Sequence, residues 1–291
     1  MKTKFIVNPI AGLGKQKNIK KILDRYLDKN RFNFDIIYTE KHLHAKELAK
    51  QAVKEKYDLI ISVGGDGTLN QISSELIGTN VAIGVIPAGS GNGFGLHFGI
   101  KKNIKKAVKQ LNNSEIKKVD TATANGIPFV NVSGVGFDAH IAKLFSTLKK
   151  RGLINYLKLI VQELNYKSKE YNIEFEDKVR KLNAILISFA NASQYGNNFK
   201  ISPNSNIEDG LLDFVIVKDL PKWEIPFLLF KIAIGKANKC KYIEIIRTKK
   251  MKITSSENII HLDGEPKQIN TSIEVICNKS SLYIFVPNGK K

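Results

Sequence analysis

The chain has 291 residues, a formal net charge of +19 and 43% apolar residues. This length predicts about two domains, and the ordinary apolar and charged fractions exclude a wholly disordered chain. The longest apolar run, residues 225–235, is broken by Pro226 and Lys231 and falls short of the ~20 residues that a membrane-spanning helix needs. The first apolar stretch is too short for a signal peptide, so we expect a cytoplasmic protein.

The basic charge has several explanations. Forty-six Lys and Arg stand against 27 Asp and Glu, as in proteins that bind nucleic acid, anionic membranes or acidic metabolites. Only five of these basic residues are Arg, so the bias of an AT-rich genome would produce the same excess. The lysines are scattered, without a basic motif interleaved with aromatic residues, which argues against a nucleic-acid partner. Cys240 and Cys277 lack metal-ligand spacing and are typical of a reducing compartment.

The first 120 residues alternate between strand and helix patterns. Strands are predicted at residues 4–8, 32–38, 57–63 and 81–86, and helices at 16–28, 44–54 and 69–77. Apolar strands separated by helices indicate an α/β domain whose parallel sheet is covered on both faces. Such sheets bind ligands at the carboxyl ends of their strands.

The second half has a different pattern. Asn125-Gly126 between two short strands predicts a hairpin. Strands are predicted at residues 119–124, 129–132, 171–175, 182–190, 212–217, 242–247, 252–254, 259–262, 273–276 and 282–286, and helices at 139–149, 154–165 and 223–234. We therefore expect an α/β domain at residues 1–122 and a β-rich sandwich at 123–291, with the extreme C-terminus able to pack back on the first domain.

A glycine-rich loop follows the strand at 57–63. It reads Gly64-Gly65-Asp66-Gly67-Thr68-Leu69-Asn70 and leads into a helix. Glycines let the backbone approach a phosphate, and the helix N-terminus then offers free N–H groups and a partial positive charge. Asp66 beside a phosphate implies a cation or a hydrogen-bonded network. Thr68 is expected to cap the helix and to donate to phosphate.

Two more loops are expected at the same edge of the sheet. Residues 87–95 hold four glycines within the stretch that begins at Gly89, and residues 8–15 read Asn-Pro-Ile-Ala-Gly-Leu-Gly-Lys. Because both follow predicted parallel strands, we expect them to join the first loop in one ligand site. Neither the GxxxxGK[ST] motif nor the GxGxxG dinucleotide motif is present.

These motifs resemble the catalytic fold of the diacylglycerol kinase family, in the soluble bacterial branch of diacylglycerol- and sphingosine-type lipid kinases. The resemblance covers nearly the whole chain. It is carried by residues 8–12, 64–70 and 87–92, by Gly134-Val135-Gly136-Phe137-Asp138-Ala139, by Asp209-Gly210-Leu211-Leu212-Asp213 and by Leu262-Asp263-Gly264-Glu265-Pro266. The GGDGT element alone is shared with NAD kinases.

The resemblance implies an ATP- and Mg²⁺-dependent lipid kinase with its active site in the cleft between the two domains. It assigns the general base to Glu265, with Asp263 close behind, and gives Asp66 a catalytic role. It implies an accessory magnesium site at Asp209 and the main-chain oxygens of Asn206 and Leu211. It implies nucleotide binding by Asn8, Pro9, Ala11, Gly12, Thr39, Gly64, Gly65, Asp66, Gly67, Thr68, Asn70, Gly89, Ser90 and Asn92.

The sequence departs from the family pattern at two places. Asn92 is followed by Gly93 where diacylglycerol-type members often have Asp, which leaves the choice of lipid open. Gly196-Asn197-Asn198 stands where the family often has a glycine triplet before its magnesium site.

Local explanations compete with some of these roles. Asp263-Gly264 and Asp209-Gly210 are favoured turn pairs. Asp138 is either the N-cap of the following helix or a member of the hydrogen-bond network around Mg²⁺. An NAD kinase-like enzyme and a nucleotide-binding regulator without catalysis are the alternatives to a lipid kinase.

A lipid substrate requires contact with a membrane. Residues 141–165 mix apolar side chains with Lys143, Lys149, Lys150, Arg151 and Lys158, a pattern that suits an anionic surface. The apolar stretch 223–234 is a second candidate. We expect a protein peripheral to the inner face of the membrane, and we leave open a homodimer.

Overall fold

The computed structural model describes residues 1–14, 16–148, 152–269 and 271–289, and it does not describe the side chains of Leu13 and Leu153. The chain forms two compact units. Unit 1 is Met1–Val119 with Ser280–Lys291, and unit 2 is Asp120–Lys279. The units therefore divide three residues before the predicted boundary, and the end of the chain belongs to the first one.

Unit 1 is a parallel sheet with helices between its strands. Its strands are β1 (Lys2–Val7), β2 (Asn33–Tyr38), β3 (Leu59–Gly64) and β4 (Ala82–Pro87), in the spatial order β2-β1-β3-β4. The helices are α1 (Ile19–Tyr26), α2 (His44–Lys54), α3 (Asp66–Leu76), α4 (Gly93–His97) and α5 (Ile104–Leu111). Every residue of β3 and β4 is buried, as expected for parallel strands covered on both faces.

Strand β5 (Ser114–Ala124) leads out of unit 1 and into unit 2. The remaining strands are β6 (Ile127–Phe129), β7 (Val132–Gly136), β8 (Lys169–Phe175), β9 (Lys178–Ala184), β10 (Leu186–Ala190), β11 (Leu212–Val217), β12 (Ile243–Thr248), β13 (Lys250–Ser255), β14 (Ile259–Leu262), β15 (Glu265–Gln268) and β16 (Ser272–Pro287). The helices are α6 (Phe137–Ser146), α7 (Leu153–Gln162) and α8 (Ile225–Ala233). Lys149, Lys150 and Arg151 of the predicted membrane stretch lie outside the described residues.

Unit 2 is a β-sandwich. One antiparallel layer has the order β16-β13-β8-β9, and the other has the order β12-β11-β10-β7-β14-β15. Tyr171 and Ile253 of the first layer belong to the same buried apolar core as Phe189, Phe214 and Ile260 of the second. The predicted architecture, a parallel α/β unit and an antiparallel sandwich, is confirmed.

Some elements differ from the prediction. The expected strand 182–190 is two strands, because the chain leaves the β8–β9 sheet at Ala184 and enters the other sheet at Leu186. The expected strands 273–276 and 282–286 are parts of β16, in which Ser280 has φ +51°. The Asn125-Gly126 hairpin is confirmed, with both residues at positive φ. Among the described residues, no helix is long and apolar enough to cross a membrane.

Candidate functional site

Three loops of unit 1 lie together where β1, β3 and β4 end. The side-chain amide of Asn8 donates to the Thr68 hydroxyl oxygen at 3.0 Å. The backbone N–H groups of Ala88 and Gly89 donate to the Gly64 carbonyl at 2.8 and 3.1 Å. The structure thus brings all three predicted glycine-rich segments to the carboxyl edge of one parallel sheet.

Glycines allow these loops to touch. A Cβ placed on Gly12, whose φ is +56°, would lie 1.4 Å from the Ala88 carbonyl oxygen. A Cβ placed on Gly89 would lie 2.4 Å from Gly65 Cα. Contacts of 2.4 Å or less exclude any side chain at these two positions, so packing between the loops itself requires the glycines.

Asp66 and Asn92 fix the loop after β4. The N–H of Asn92 donates to Asp66 Oδ2 at 2.7 Å. The Asn92 side chain accepts from the Gly89 N–H at 3.0 Å and donates to the Gly89 carbonyl at 2.7 Å. Asn92 is buried and has φ +57°, a conformation that Asn tolerates well. Both polar groups of its side chain therefore shape the loop.

Helix α3 begins at Asp66, with Gly65 in the N-cap position and no side-chain cap. The prediction that Thr68 caps the helix is wrong, because Thr68 is the third residue of α3 and lies past the N-cap position. Its hydroxyl instead accepts from the Asn8 amide. The first N–H groups of an α-helix have no partner within the helix and form a natural anion site. Gly65, Asp66 and Gly67 are partly exposed at this end of α3.

The other predicted nucleotide residues lie in the same loops, in the first turns of α3 or at the end of β2. The Thr39 N–H donates to the Val7 carbonyl at 2.9 Å, which sets Thr39 beside the end of β1. Ser90 and Pro9 are exposed, and Ala11 and Asn70 are partly exposed.

In unit 2, Asp263 and Gly264 form the turn between β14 and β15. Their φ angles are +50° and +88°, and Leu262 pairs with Glu265 across the turn. The Asp263 carboxylate accepts from the backbone N–H groups of Val130 at 2.9 Å and Asn131 at 2.8 Å, and it is 9% exposed. Asp263 therefore joins this turn to the segment between β6 and β7, in keeping with the turn expected for the Asp-Gly pair.

Glu265 has different surroundings. It is the first residue of β15 and is exposed. In the described part of the chain, its carboxylate has neither a hydrogen bond nor an ion pair. Of the two acids proposed as the base, Glu265 is the one whose carboxylate is open to a ligand.

Asp138 is at the centre of a buried cluster that the sequence analysis largely missed. Its Oδ2 lies 3.0 Å from the Ser188 hydroxyl, 3.1 Å from the Tyr195 hydroxyl and 3.1 Å from His261 Nε2. Its Oδ1 accepts from the Ala139 N–H at 2.9 Å. Burial, followed by the charge of Asp138, raises the pKa of Tyr195 well above its ordinary value. The N-cap of α6 is Gly136, so the N-cap interpretation of Asp138 is wrong.

The register of the sheet explains this cluster. Gly134 of β7 pairs with Ser188 of β10 on one side and with His261 of β14 on the other. Directly opposed residues in a sheet point to the same face. A Cβ on Gly134 would lie 2.3 Å from Asp138 Oδ2, so this glycine leaves room for the carboxylate. The sequence signal was the glycine four residues before the aspartate, and nothing nearby pointed to Ser188 or His261.

The one acidic side chain of the predicted accessory magnesium site, Asp209, already has protein partners. The Arg247 guanidinium pairs with Asp209 Oδ2 and, at 3.0 Å, with Asp213 Oδ1. The other Asp209 oxygen accepts from the Leu211 N–H at 3.0 Å, and the Asn206 side chain accepts from the Glu208 N–H at 3.1 Å. Over the residues that the structure describes, no group of three or more acidic, His or Cys side chains could hold a metal ion. The Arg247 guanidinium offsets part of the negative charge of Asp209 and Asp213. The metal role of Asp209 and of the main-chain oxygens of Asn206 and Leu211 stays a prediction.

Comparison with known proteins identifies the family. The family model described as the diacylglycerol kinase catalytic domain matches residues 2–124, and the YegS C-terminal NAD kinase beta sandwich-like domain matches residues 131–282. The chain is 28% identical over 280 residues to the diacylglycerol kinase of Bacillus subtilis, covering 91% of this chain and 89% of that protein. It is 23% identical over 300 residues to the diacylglycerol kinase of Staphylococcus saprophyticus, covering 100% of this chain and 97% of that protein.

Solved structures agree with this assignment. Three structures of Bacillus anthracis proteins of the diacylglycerol kinase type match with TM-scores of 0.74 to 0.82 and identities of 22 to 25%, over 99% of this chain and 97% of each of theirs. The chain belongs to the diacylglycerol kinase catalytic-domain family, in its bacterial lipid kinase branch with a YegS-type β-sandwich.

Proposed function

We propose that the protein is an ATP- and Mg²⁺-dependent lipid kinase that transfers the γ-phosphate of ATP to a hydroxyl group of a membrane lipid. The observation that carries the proposal is the meeting of three glycine-rich loops around the N-terminus of α3. A cradle of backbone N–H groups at the carboxyl edge of a parallel sheet suits a polyphosphate.

The phosphates of ATP would lie against residues 64–68 and the loop at residues 89–92, with residues 8–12 completing the cradle. Asp66 is the one acidic residue of these three segments, so it is the side chain that would face the magnesium ion of MgATP. When bound, the ion neutralises phosphate charge and orients the chain of phosphates. The hydrogen bond from Asn92 holds Asp66 and the loop in place for that role.

Glu265 would accept the proton of the lipid hydroxyl. Phosphoryl transfer is catalysed mainly by positioning and charge stabilisation, with a carboxylate to take the proton. A general base needs an accessible carboxylate, which Glu265 has, whereas the Asp263 carboxylate is held by two backbone N–H groups. We therefore assign the proton transfer to Glu265 and a structural role to Asp263.

Helix α8 would provide contact with the membrane. An apolar ridge runs along α8 and the residues that flank it. We define it as Trp223 before the helix, Phe227 and Phe230 within it and Ile234 directly after it; these positions recur at helical spacing, and each side chain is between 46% and 66% exposed. The opposite face packs Leu228 and Ile232 into a core cluster of unit 2. A helix that is apolar on both faces needs a second apolar environment.

Positive charge around the apolar ridge favours an anionic membrane as that environment. Lys222 precedes the ridge in the chain, Lys236 and Lys239 follow it, and all three are exposed. The Lys222 ammonium donates to the side chain of Asn165, which follows α7 in the chain. Within α7, the apolar side chains of Ile154 and Val161 are also exposed. Basic residues near a surface of anionic lipid contribute roughly 1 kcal/mol each.

Co-sedimentation with vesicles tests this contact. We expect binding to vesicles containing phosphatidylglycerol that weakens with salt, and a loss of at least tenfold in the Phe227→Ser/Phe230→Ser variant. A matched Val179→Ser variant removes an exposed apolar side chain elsewhere and should bind normally. If the ridge variant binds vesicles as well as the wild type does, α8 is not the membrane contact. If light scattering shows that the wild type is a dimer and the ridge variant a monomer, the ridge belongs to a homodimer interface instead.

The function itself is tested by transfer of labelled γ-phosphate from ATP to a panel of diacylglycerol, sphingoid base, ceramide, phosphatidylglycerol and NAD⁺. We expect label in a lipid and none in NAD⁺. Labelled NADP⁺ alone would instead support an NAD kinase, the alternative favoured by the description of the domain at residues 131–282. No transfer to any acceptor, together with ATP binding, would support the regulator.

A further inference from the structure

His261 links the buried Asp138 cluster to the turn that carries Glu265. It lies in β14, is 3% exposed, and its two ring nitrogens face different partners. Nε2 lies 3.1 Å from Asp138 Oδ2, and Nδ1 lies 3.2 Å from the N–H of Gly264. Gly264 directly precedes Glu265, so one ring joins the cluster to the proposed base.

The two contacts define which nitrogen carries the proton. The Gly264 N–H can only donate, so Nδ1 must accept and carries no proton. The neutral ring then has its proton on Nε2, where the Asp138 carboxylate accepts it. A carboxylate on one nitrogen commonly sets the tautomer of a histidine in this way.

Asp138 gives the ring a fixed point of attachment. Its carboxylate is also held by Ser188, Tyr195 and the Ala139 N–H, and the missing side chain of Gly134 lets it lie directly over the sheet. A fully hydrogen-bonded buried polar group of this kind keeps one orientation.

We propose that His261 is a positioning residue for phosphoryl transfer: its Nδ1 accepts from the Gly264 N–H and so holds the turn in the conformation that aims Glu265 at the lipid hydroxyl. The inference rests on the proposed lipid kinase function. Tyr195 and Ser188 act one step further away, by holding the Asp138 carboxylate to which the ring is attached.

Two amide variants separate the contacts of the ring. In His261→Asn the side-chain oxygen takes the position of Nδ1 and still accepts from Gly264, whereas the bond to Asp138 is lost. In His261→Gln the amide reaches the position of Nε2 and still donates to Asp138, whereas Gly264 loses its acceptor. Each variant loses one buried hydrogen bond. If the role of His261 were merely structural, the two variants should therefore lower the melting temperature by the same amount and lower turnover by the same factor.

The positioning role predicts an unequal result. Small misplacements of a reacting group can lower rates by up to about 100-fold. We therefore expect the kcat of His261→Asn to lie within about fivefold of the wild-type value. The kcat of His261→Gln should be at least tenfold lower than that of His261→Asn. The KM for ATP should stay within about twofold in both variants, because the nucleotide residues are in unit 1. Equal losses of kcat, or a larger loss in His261→Asn, would overturn the inference.

Hydrogen exchange at the Gly264 amide gives a readout that does not depend on activity. In protein labelled with ¹⁵N-glycine, this amide should exchange slowly in the wild type and in His261→Asn, and at least tenfold faster in His261→Gln. If the wild type phosphorylates no lipid but the exchange pattern holds, the proposed function fails while the contact stands. If lipid turnover is normal and both variants have wild-type kcat, the positioning role fails while the function stands.

Discussion

Replacing the two acids of the β14–β15 hairpin separately should divide stability from catalysis. Asp263 is 9% exposed and accepts two backbone N–H bonds, at 2.9 and 2.8 Å. Asparagine at this position keeps one acceptor oxygen for one of the two backbone N–H groups. Its side-chain NH₂ group then faces the other backbone N–H, which loses its acceptor. A hydrogen bond to a charged group contributes about 1.5–3 kcal/mol, and an unsatisfied buried donor costs about 1–3 kcal/mol. Asp263→Asn should therefore lower the free energy of unfolding by about 2–4 kcal/mol.

Glu265→Gln should behave in the opposite way. An exposed side chain without partners contributes within about 0.5 kcal/mol to stability, so the variant should melt like the wild type. Its turnover should fall by at least about 100-fold, because a positioned general base contributes about 10²- to 10⁴-fold.

Thermal unfolding followed by circular dichroism, with the transfer assay on the same samples, measures both effects. For a unit the size of the sandwich, Asp263→Asn should lower the melting temperature by roughly 5–12 °C. Wild-type stability in Asp263→Asn, combined with near-normal turnover in Glu265→Gln, would reverse the two assignments.

Three further results are expected. Gly12→Ala should weaken ATP binding at least tenfold in calorimetry, whereas Gly99→Ala, which has a similar positive φ but open space around it, should leave binding unchanged; equal effects would refute the loop-packing argument. Mg²⁺ without ATP should not raise the melting temperature of the wild type. In Arg247→Ala, which frees Asp209, Mg²⁺ should raise the melting temperature. A Mg²⁺-dependent increase in the melting temperature of the wild type would instead support the accessory metal site. Hydrogen bonds from arginine and lysine lower the pKa of Glu244 from 4.5 to about 2, so this carboxylate stabilises the fold above pH 4.5 and loses that contribution as the pH falls toward 2. Glu244→Gln should flatten the stability profile in this window, and an unchanged slope would contradict the assignment.

The sequence predicted the architecture because local patterns agree with the fold. Strands β3 and β4 are mostly apolar and buried along their whole length, as expected for parallel strands covered on both faces, and the loops after them contain the glycines that their mutual packing requires. The Asn125-Gly126 hairpin followed from turn chemistry alone. These features depend on residues close together in the chain.

Features that depend on distant pairs were not predicted. Ser188, Tyr195 and His261 reach Asp138 through strand register and not through sequence spacing, and none of them belongs to a motif. Arg247 lies 38 residues from the Asp209 carboxylate that it neutralises. The distinction between Asp263 and Glu265 likewise required the backbone donors of Val130 and Asn131, which lie 133 and 132 residues from Asp263 in the chain.

The central claim is that ATP held by the glycine loops phosphorylates a lipid hydroxyl with Glu265 as the base. Its most direct test is single-turnover transfer of labelled γ-phosphate to diacylglycerol and sphingoid base, in wild type and Glu265→Gln, with ATP affinity measured on both. We expect labelled lipid with the wild type, at least about 100-fold slower transfer with Glu265→Gln, and equal affinity of both proteins for ATP. Transfer at wild-type rate by Glu265→Gln, or label that reaches no lipid, would contradict it.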